Sequence, residues 1–72
     1  MEKVEQYSSV MIRPGTYPAF GVATLTFPDE TRGAVVEIYG EQETFLVDVG
    51  SSPIDWNTIE VHREDIVKII RD

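Results

Sequence analysis

Hydrophobic and polar residues alternate most regularly between positions 32 and 49 of this 72-residue chain. In each half of this stretch, every second residue is apolar. The two apolar sets are Ala34, Val36 and Ile38, and then Phe45, Val47 and Val49. Because successive side chains of a β-strand point to opposite faces, the pattern predicts two strands that each bury one face. The acidic residues between them are typical of a turn, so the segment is predicted to be a β-hairpin.

The length of the turn determines how the two strands pair. Both apolar sets face one core only if the loop holds an even number of residues, since a slip of one residue turns a whole set toward water. A four-residue loop, Gly40 to Glu43, meets this condition. A two-residue loop of Glu41 and Gln42 would give the same pairing, but neither residue suits the positive φ of such turns. The predicted pairs are Ala34 with Val49, Val36 with Val47, and Ile38 with Phe45.

Shorter alternating segments outside the hairpin predict further strands. They cover residues 7–13, 22–27, 56–62 and 66–70, and residues 63–65 are expected to form a single helical turn. Residues 1–6 are predicted to be a frayed, charged lead-in, residues 16–21 an extended loop, and residues 50–53 a loop of turn formers. No segment shows helical periodicity over about ten residues.

Five or six short strands in so small a chain must bury their faces against one another. The economical arrangement is a small, strongly bent barrel, so the chain is predicted to be a single all-β domain. The predicted core consists of Ala34, Val36, Ile38, Phe45, Val47, Val49, Ile59 and Val61. A domain of this size buries only about 60% of its unfolded surface, and it usually acts by presenting a surface instead of enclosing a catalytic cavity.

The chain has 13 acidic and 6 basic residues, with a formal net charge of −7. Nucleic-acid binding needs a cationic footprint, so direct binding to nucleic acid is not expected. The excess of acidic residues serves either to keep the protein soluble or to attract a basic partner. The chain has no cysteine, which excludes disulfides and thiolate zinc sites. Its polar N-terminus and the lack of a long apolar run predict a cytoplasmic protein without signal peptide or membrane contact.

Four pieces of the sequence follow one another in a recognisable order. They are residues 22–28, 32–39, 45–49 and 64–66. In this order they resemble a bacterial family of short SH3-like proteins of unassigned function. Its members show a first strand that ends in proline, a Gly-x-Val-Val-Glu-x-Tyr strand, an alternating return strand and an acidic-aliphatic close. The most specific piece is Gly33 to Tyr39.

The resemblance covers residues 22–72 and implies an SH3-like barrel of five to six short antiparallel strands. Residues 1–21 have no counterpart in the family pattern and are expected to add an N-terminal extension with one strand. The loop before Gly33 is shorter than is usual in the family. The resemblance implies no reaction and no catalytic residue, because a fold of this kind does not specify a function.

The residues that could carry catalysis or bind a metal lack the necessary context. The candidates are the pair Glu60 and His62, the serines Ser51 and Ser52, and the acid pairs Glu41–Glu43 and Glu64–Asp65. The first pair gives two metal ligands where several are needed, and the serines have no nucleophile motif. The acid pairs lie in turns, outside any pocket that would separate their pKa values. We therefore predict a non-enzymatic protein without a cofactor.

Several apolar residues fall on the outer face of the predicted hairpin, where they have no core to enter. They are Val35, Tyr39 and Leu46, with Trp56 on the strand that follows. Glu37, Asp48 and Glu60 would surround them as an acidic rim. Exposed apolar patches ringed by charges often mark interaction sites. The open alternative is that the N-terminal segment of the chain covers this face.

The leading hypothesis is a protein-interaction module that uses this outer face. Its binding residues would be Glu37, Tyr39, Leu46, Asp48, Trp56 and Glu60. One alternative is an acidic inhibitor or antitoxin-like protein that neutralises a basic, nucleic-acid-binding partner. Another is a barrel that binds a small ligand or a peptide in a groove beside Tyr17, Tyr39 and Trp56. A homodimer is expected, because so short a chain cannot cover both faces of its hairpin.

Overall fold

The computed structural model describes residues 3–50 and 56–70 of the chain. Within them it contains seven β-strands, one 3-10 turn and no α-helix, which confirms the all-β prediction. The strands are β1 (Ser9–Ile12), β2 (Gly15–Pro18), β3 (Thr24–Phe27), β4 (Thr31–Tyr39), β5 (Thr44–Val49), β6 (Asn57–His62) and β7 (Ile66–Ile70). The 3-10 turn, Arg63–Asp65, joins β6 to β7 as predicted. The predicted loop at 50–53 and the serine pair lie mainly outside the described residues.

Five of the strands form one antiparallel sheet in the order β6-β5-β4-β1-β7. The strand β1, which the sequence pattern placed in an N-terminal extension, lies inside this sheet between β4 and β7. The strands β2 and β3 form a separate two-stranded sheet. The segment 16–21, predicted to be a loop, is partly strand because Thr16 and Tyr17 pair with Thr26 and Leu25 on β3.

The described strands do not close into a barrel, and the residues just after β2 meet the edge of β6 in one isolated bridge. Ala19 bridges Ile59, and the amide of Phe20 donates to the carbonyl of Thr58 at 3.0 Å. Continued in this register, the ladder would bring Pro18 opposite Glu60. Proline has no amide hydrogen to donate, so the pairing ends there. The small two-stranded sheet is therefore joined to the edge of β6 by a single bridge, while Tyr17, Leu25 and Phe27 pack against the core.

The hairpin of β4 and β5 has the predicted four-residue loop, and its pairing agrees with the prediction next to that loop. Ile38 pairs with Phe45, and Tyr39 pairs with Thr44. Beyond Glu37 the prediction is wrong, because Val36 is an extra, unpaired residue that forms a β-bulge. The bulge shifts the remaining pairs by one position.

The shifted pairs reverse which residues of β4 face the core. Val35, not Val36, pairs with Val47, and Gly33, not Ala34, pairs with Val49. Val35 is fully buried, whereas Ala34 and Val36 are only half-buried and lie outside the core cluster. The bulge therefore exchanges one valine for another at the Val47 pairing, and it places a glycine where an alanine was predicted at the Val49 pairing.

The core includes residues that the sequence pattern did not assign to it. Its buried members are Val4, Val10, Ile12, Tyr17, Val35, Phe45, Val47, Val49, Ile59, Val61 and Ile66. The predicted core residue Ile38 only packs against this cluster from its margin. Val4 is fully buried, so the expected frayed lead-in contributes to the core from its fourth residue.

A side chain in the β4–β5 loop holds this N-terminal segment in place. The Gln42 amide oxygen accepts the Val4 amide hydrogen at 2.5 Å, and its nitrogen donates to the Val4 carbonyl at 2.9 Å. A primary amide thereby satisfies both backbone groups of one residue, as a neighbouring strand would. Tyr7 and Ser8 extend the attachment through two hydrogen bonds to the backbone of Val35.

We predict that Gly33→Ala destabilises the fold. A Cβ at this position would lie 2.9 Å from the Asp48 carbonyl oxygen and against a methyl group of Val47. Overpacking of this kind typically costs about 1–3 kcal/mol. Urea unfolding monitored by Trp56 fluorescence measures the effect. The control is Ala34→Ser on the outer face, which should change stability by less than about 0.5 kcal/mol. Equal stabilities of the two variants would contradict the tight contact at Gly33.

We also predict that Gln42→Ala lowers the free energy of unfolding by about 1–3 kcal/mol, because it leaves the backbone groups of Val4 without partners. Hydrogen exchange at the Val4 amide should accelerate together with the loss of stability. The matched control is Glu41→Ala, an exposed neighbour in the same loop. If both variants exchanged the Val4 amide at the wild-type rate, the Gln42 side chain would not be holding this segment.

Candidate interaction surface

The outer face of β4, β5 and β6 carries the site residues predicted from the sequence. Cross-strand pairing arranges them in rows that run across the three strands. The rows are Tyr39, Thr44 and His62; then Glu37, Leu46 and Glu60; then Ala34, Asp48 and Thr58. Directly opposed side chains on one sheet face lie about 5 Å apart, so members of a row are neighbours. Trp56 precedes β6 and lines a small groove of about 210 Å³ with Asp48, Ala34 and Arg32.

The two aromatic residues of the predicted site lie at opposite ends of this face. Tyr39 is 52% exposed and Trp56 is 50% exposed. The row of Tyr39 ends at His62, six residues from Trp56, which corresponds to about 20 Å along a strand. Tyr17 is buried in the core. The structure therefore does not bring Tyr17, Tyr39 and Trp56 together around one groove.

Leu46 lies in the middle of the face but is only 8% exposed. It does not belong to the main core cluster. Its direct neighbours are Glu37 on β4 and Glu60 on β6, and the methylene groups of two glutamates can cover a leucine while their carboxylates stay in water. We call Glu37, Leu46 and Glu60 the acidic row.

Two apolar residues missed by the sequence reasoning lie near this face. Phe20 is 60% exposed and Val22 is 49% exposed, and both lie in the loop between β2 and β3. The hydrogen bond from Phe20 to Thr58 holds this loop against β6, two residues from Trp56. The sequence signal was the cluster of apolar residues beside Gly21, but nothing in the pattern indicated which strand the loop would meet.

A second, more polar groove of about 550 Å³ lies between β2 and the end of β6. Its wall is fixed by an ion pair in which Arg13 Nε lies 2.8 Å from Asp65 Oδ1. The other oxygen of Asp65 accepts the backbone amide of His62 at 2.9 Å, and Asp65 is buried. Tyr17 donates its hydroxyl hydrogen to the carbonyl of Arg13 at 2.5 Å. These bonds fasten the start of β2 to the 3-10 turn, so the groove has a structural frame.

This frame explains the acidic residue that precedes Ile66 in the sequence pattern. Asp65 caps the 3-10 turn and pairs with Arg13, which are both structural roles. Within residues 3–50 and 56–70, no group of three histidine, cysteine, aspartate or glutamate side chains is placed to hold a metal ion. No helix in the same part of the chain is long and apolar enough to cross a membrane.

Comparisons with protein-family models, with curated proteins and with solved structures found no match to this chain. The case for a function therefore rests on the surface that the fold presents.

The burial of Tyr17 predicts a dependence of stability on alkaline pH. Burial, reinforced by the nearby charge of Asp65, raises the pKa of Tyr17 above its ordinary value of 10.0. The folded state then keeps a proton at a pH where the unfolded chain has lost it, so stability should fall as pH rises above about 10. Urea unfolding between neutral and alkaline pH should show a shallower fall for Tyr17→Phe than for wild type.

The control for this experiment is Tyr39→Phe, which changes a tyrosine that is 52% exposed. This variant removes a tyrosine hydroxyl outside the core, so it shows the effect of a Tyr→Phe change that does not alter the core. Parallel profiles for wild type and Tyr17→Phe would show that Tyr17 does not contribute to the alkaline loss of stability.

Proposed function

We propose that this chain is a non-enzymatic protein-interaction domain of the SH3-like type. It binds a partner protein through the outer face of β4, β5 and β6. Its contact residues are Glu37, Tyr39, Leu46, Asp48, Trp56 and Glu60. A bacterial, cytoplasmic setting belongs to the same proposal, and it rests on the resemblance.

The topology supports the SH3-like part of the proposal. The first strand lies between the first strand of the long hairpin and the last strand of the chain. A single 3-10 turn precedes that last strand. The nine-residue strand β4 pairs with β1 through its first half and with β5 along most of its length. A bulge bends such a strand, so β4 can serve both halves of a strongly curved sheet.

The exposure of Tyr39 and Trp56 is the observation that carries the functional part. These two side chains remain half-exposed although Val4 is fully buried in the core. The described N-terminal residues from position 3 onward thus leave Tyr39 and Trp56 half-exposed, which argues against the alternative that they cover this face. Aromatic residues are enriched at protein interfaces, where they supply most of the contact energy.

The carboxylates indicate the charge of the partner. Glu37 and Glu60 flank Leu46, and Asp48 follows in the next row of the same face. Three acidic residues on three adjacent strands favour a partner with basic residues around an apolar contact. The alternative of an acidic inhibitor that neutralises a basic protein uses this same face and differs only in the identity of the partner.

Site-specific photocrosslinking in the native host tests the proposal. A benzoylphenylalanine at position 39 replaces one half-exposed aromatic residue with another and should give a discrete covalent adduct after irradiation. Glu37→Gln combined with Glu60→Gln should lower the adduct yield several-fold, because it removes the charge that attracts a basic partner. Mass spectrometry of the adduct then identifies the partner.

The matched control combines Asp29→Asn with Glu30→Gln in the exposed turn before β4, which changes the net charge by the same amount. This control should leave the adduct yield at the wild-type level. The absence of any adduct at position 39, or equal loss in both double variants, would overturn the proposed binding face.

A further inference from the structure

The outer face of the large sheet also carries a row of basic residues. Lys68 on β7 and Arg32 on β4 both pair with Met11 on β1, which lies between them. Met11 alternates with the buried residues Val10 and Ile12, so the three paired residues point away from the core. We call Lys68, Met11 and Arg32 the basic row.

The basic row and the acidic row have matching geometry and opposite charge. In each row an apolar residue on a middle strand separates two like charges on the flanking strands. Two strand spacings separate the charged residues, which is about 10 Å in both rows. In either direction along a row, the order is charged, apolar, charged. One row can therefore pack against the other in either orientation, with each charge facing an opposite charge.

The charges of both rows are available for intermolecular contact. Arg13 and Asp65 form an ion pair with each other. The four charged residues of the two rows, Arg32, Lys68, Glu37 and Glu60, do not take part in this ion pair. Arg32, Lys68 and Glu37 are exposed, and Glu60 is half-buried. The Arg32 guanidinium donates one long hydrogen bond, of 3.5 Å, to the hydroxyl of Ser9.

The bulge in β4 places the two rows on the same face. Arg32 and Glu37 are five positions apart on β4, so a regular strand would point them to opposite faces. The extra residue Val36 restores them to one face. A single copy of the chain therefore presents both the acidic row and the basic row on the same face of the large sheet.

We propose that the partner of the acidic row is the basic row of a second copy of this chain. The inference rests on the proposed function, because it names a partner for the same face. In this contact Glu37 and Glu60 of one copy meet Arg32 and Lys68 of the other, and Leu46 faces Met11. The two surfaces differ, so the contact is heterologous and a chain or ring of copies can form from it.

The net charge determines the conditions under which this contact is observed. Two copies that each carry a charge of −7 repel each other at long range. At about 0.1 M salt the Debye length is about 10 Å. Salt then screens the repulsion between the centres of the two molecules but not the attraction between charges in direct contact. At about 1 M salt the Debye length is about 3 Å, and the contact should be lost.

Sedimentation velocity of the purified chain at about 0.1 M salt, over a range of concentrations, tests the proposal. Wild type should show a sedimentation coefficient that rises with concentration. The acid-swapped variant, Glu37→Lys with Glu60→Lys, and the base-swapped variant, Arg32→Glu with Lys68→Glu, should each sediment as monomers. A mixture of the two variants should associate again, because each supplies the row that the other lacks.

A control separates row docking from a general effect of net charge. Asp29→Lys with Glu30→Lys changes the net charge as much as the acid-swapped variant does. General charge repulsion predicts that both variants associate more strongly than wild type. Row docking predicts a difference between these two variants. The Asp29 and Glu30 variant associates, as wild type does, while the acid-swapped variant stays monomeric.

Wild type that sediments as a monomer at every concentration, or a mixture of swapped variants that does not associate, would overturn the second-copy proposal. That result would leave the crosslinking test of the outer face intact, because crosslinking in the host reports a partner of any identity. A crosslinked adduct with another protein and no association of the purified chain would support the proposed function alone.

Discussion

The single extra residue in β4 is the constraint on which the rest of the structure depends. Strand side chains alternate strictly, so an unpaired Val36 exchanges the inner and outer sets of every residue on one side of it. On one side of the bulge, Ile38 faces inward; on the other, Val35 and Gly33 do. The bulge thus lets one strand pair with both β1 and β5 while Val35 and Ile38 face the core.

Close packing on the inner side of the bulge explains the glycine at position 33. The pairing brings Gly33 between Val47 and Val49, where the interstrand space is too small for a methyl group. The core remains compact because the smallest residue meets the closest approach of the two strands. Glycine is required at position 33 because any larger residue would clash with its neighbours. This steric requirement is stronger than a preference for strand formation.

The all-β character of the fold could be predicted from the sequence, and the features that could not have physical causes. The four-residue loop followed from parity together with the φ preferences of turn residues, and the pairs beside it were correct. The bulge was not visible because Ala34, Val35 and Val36 are three consecutive apolar residues, which permit either face to be the inner one. Val4 was missed because its anchor, Gln42, is distant in sequence and acts through a side-chain amide that no periodicity reports.

The surface was harder to predict than the core. The sequence register correctly placed Glu37, Leu46 and Tyr39 on one face, because they lie on the loop side of the bulge. It could not show that Leu46 is covered while Tyr39 and Trp56 stay exposed, since coverage depends on long side chains of neighbouring strands. The basic row depends on β1 lying between β4 and β7, a long-range arrangement that alternation within single strands does not encode.

The position of β1 between β4 and β7 also bears on how the chain reaches its native state. The strand β1 has both of its neighbours only after β7 has paired with it. The central strands of the sheet therefore cannot all pair until the residues of β7 are available. Such non-local pairing carries a large loop-closure cost and slows folding.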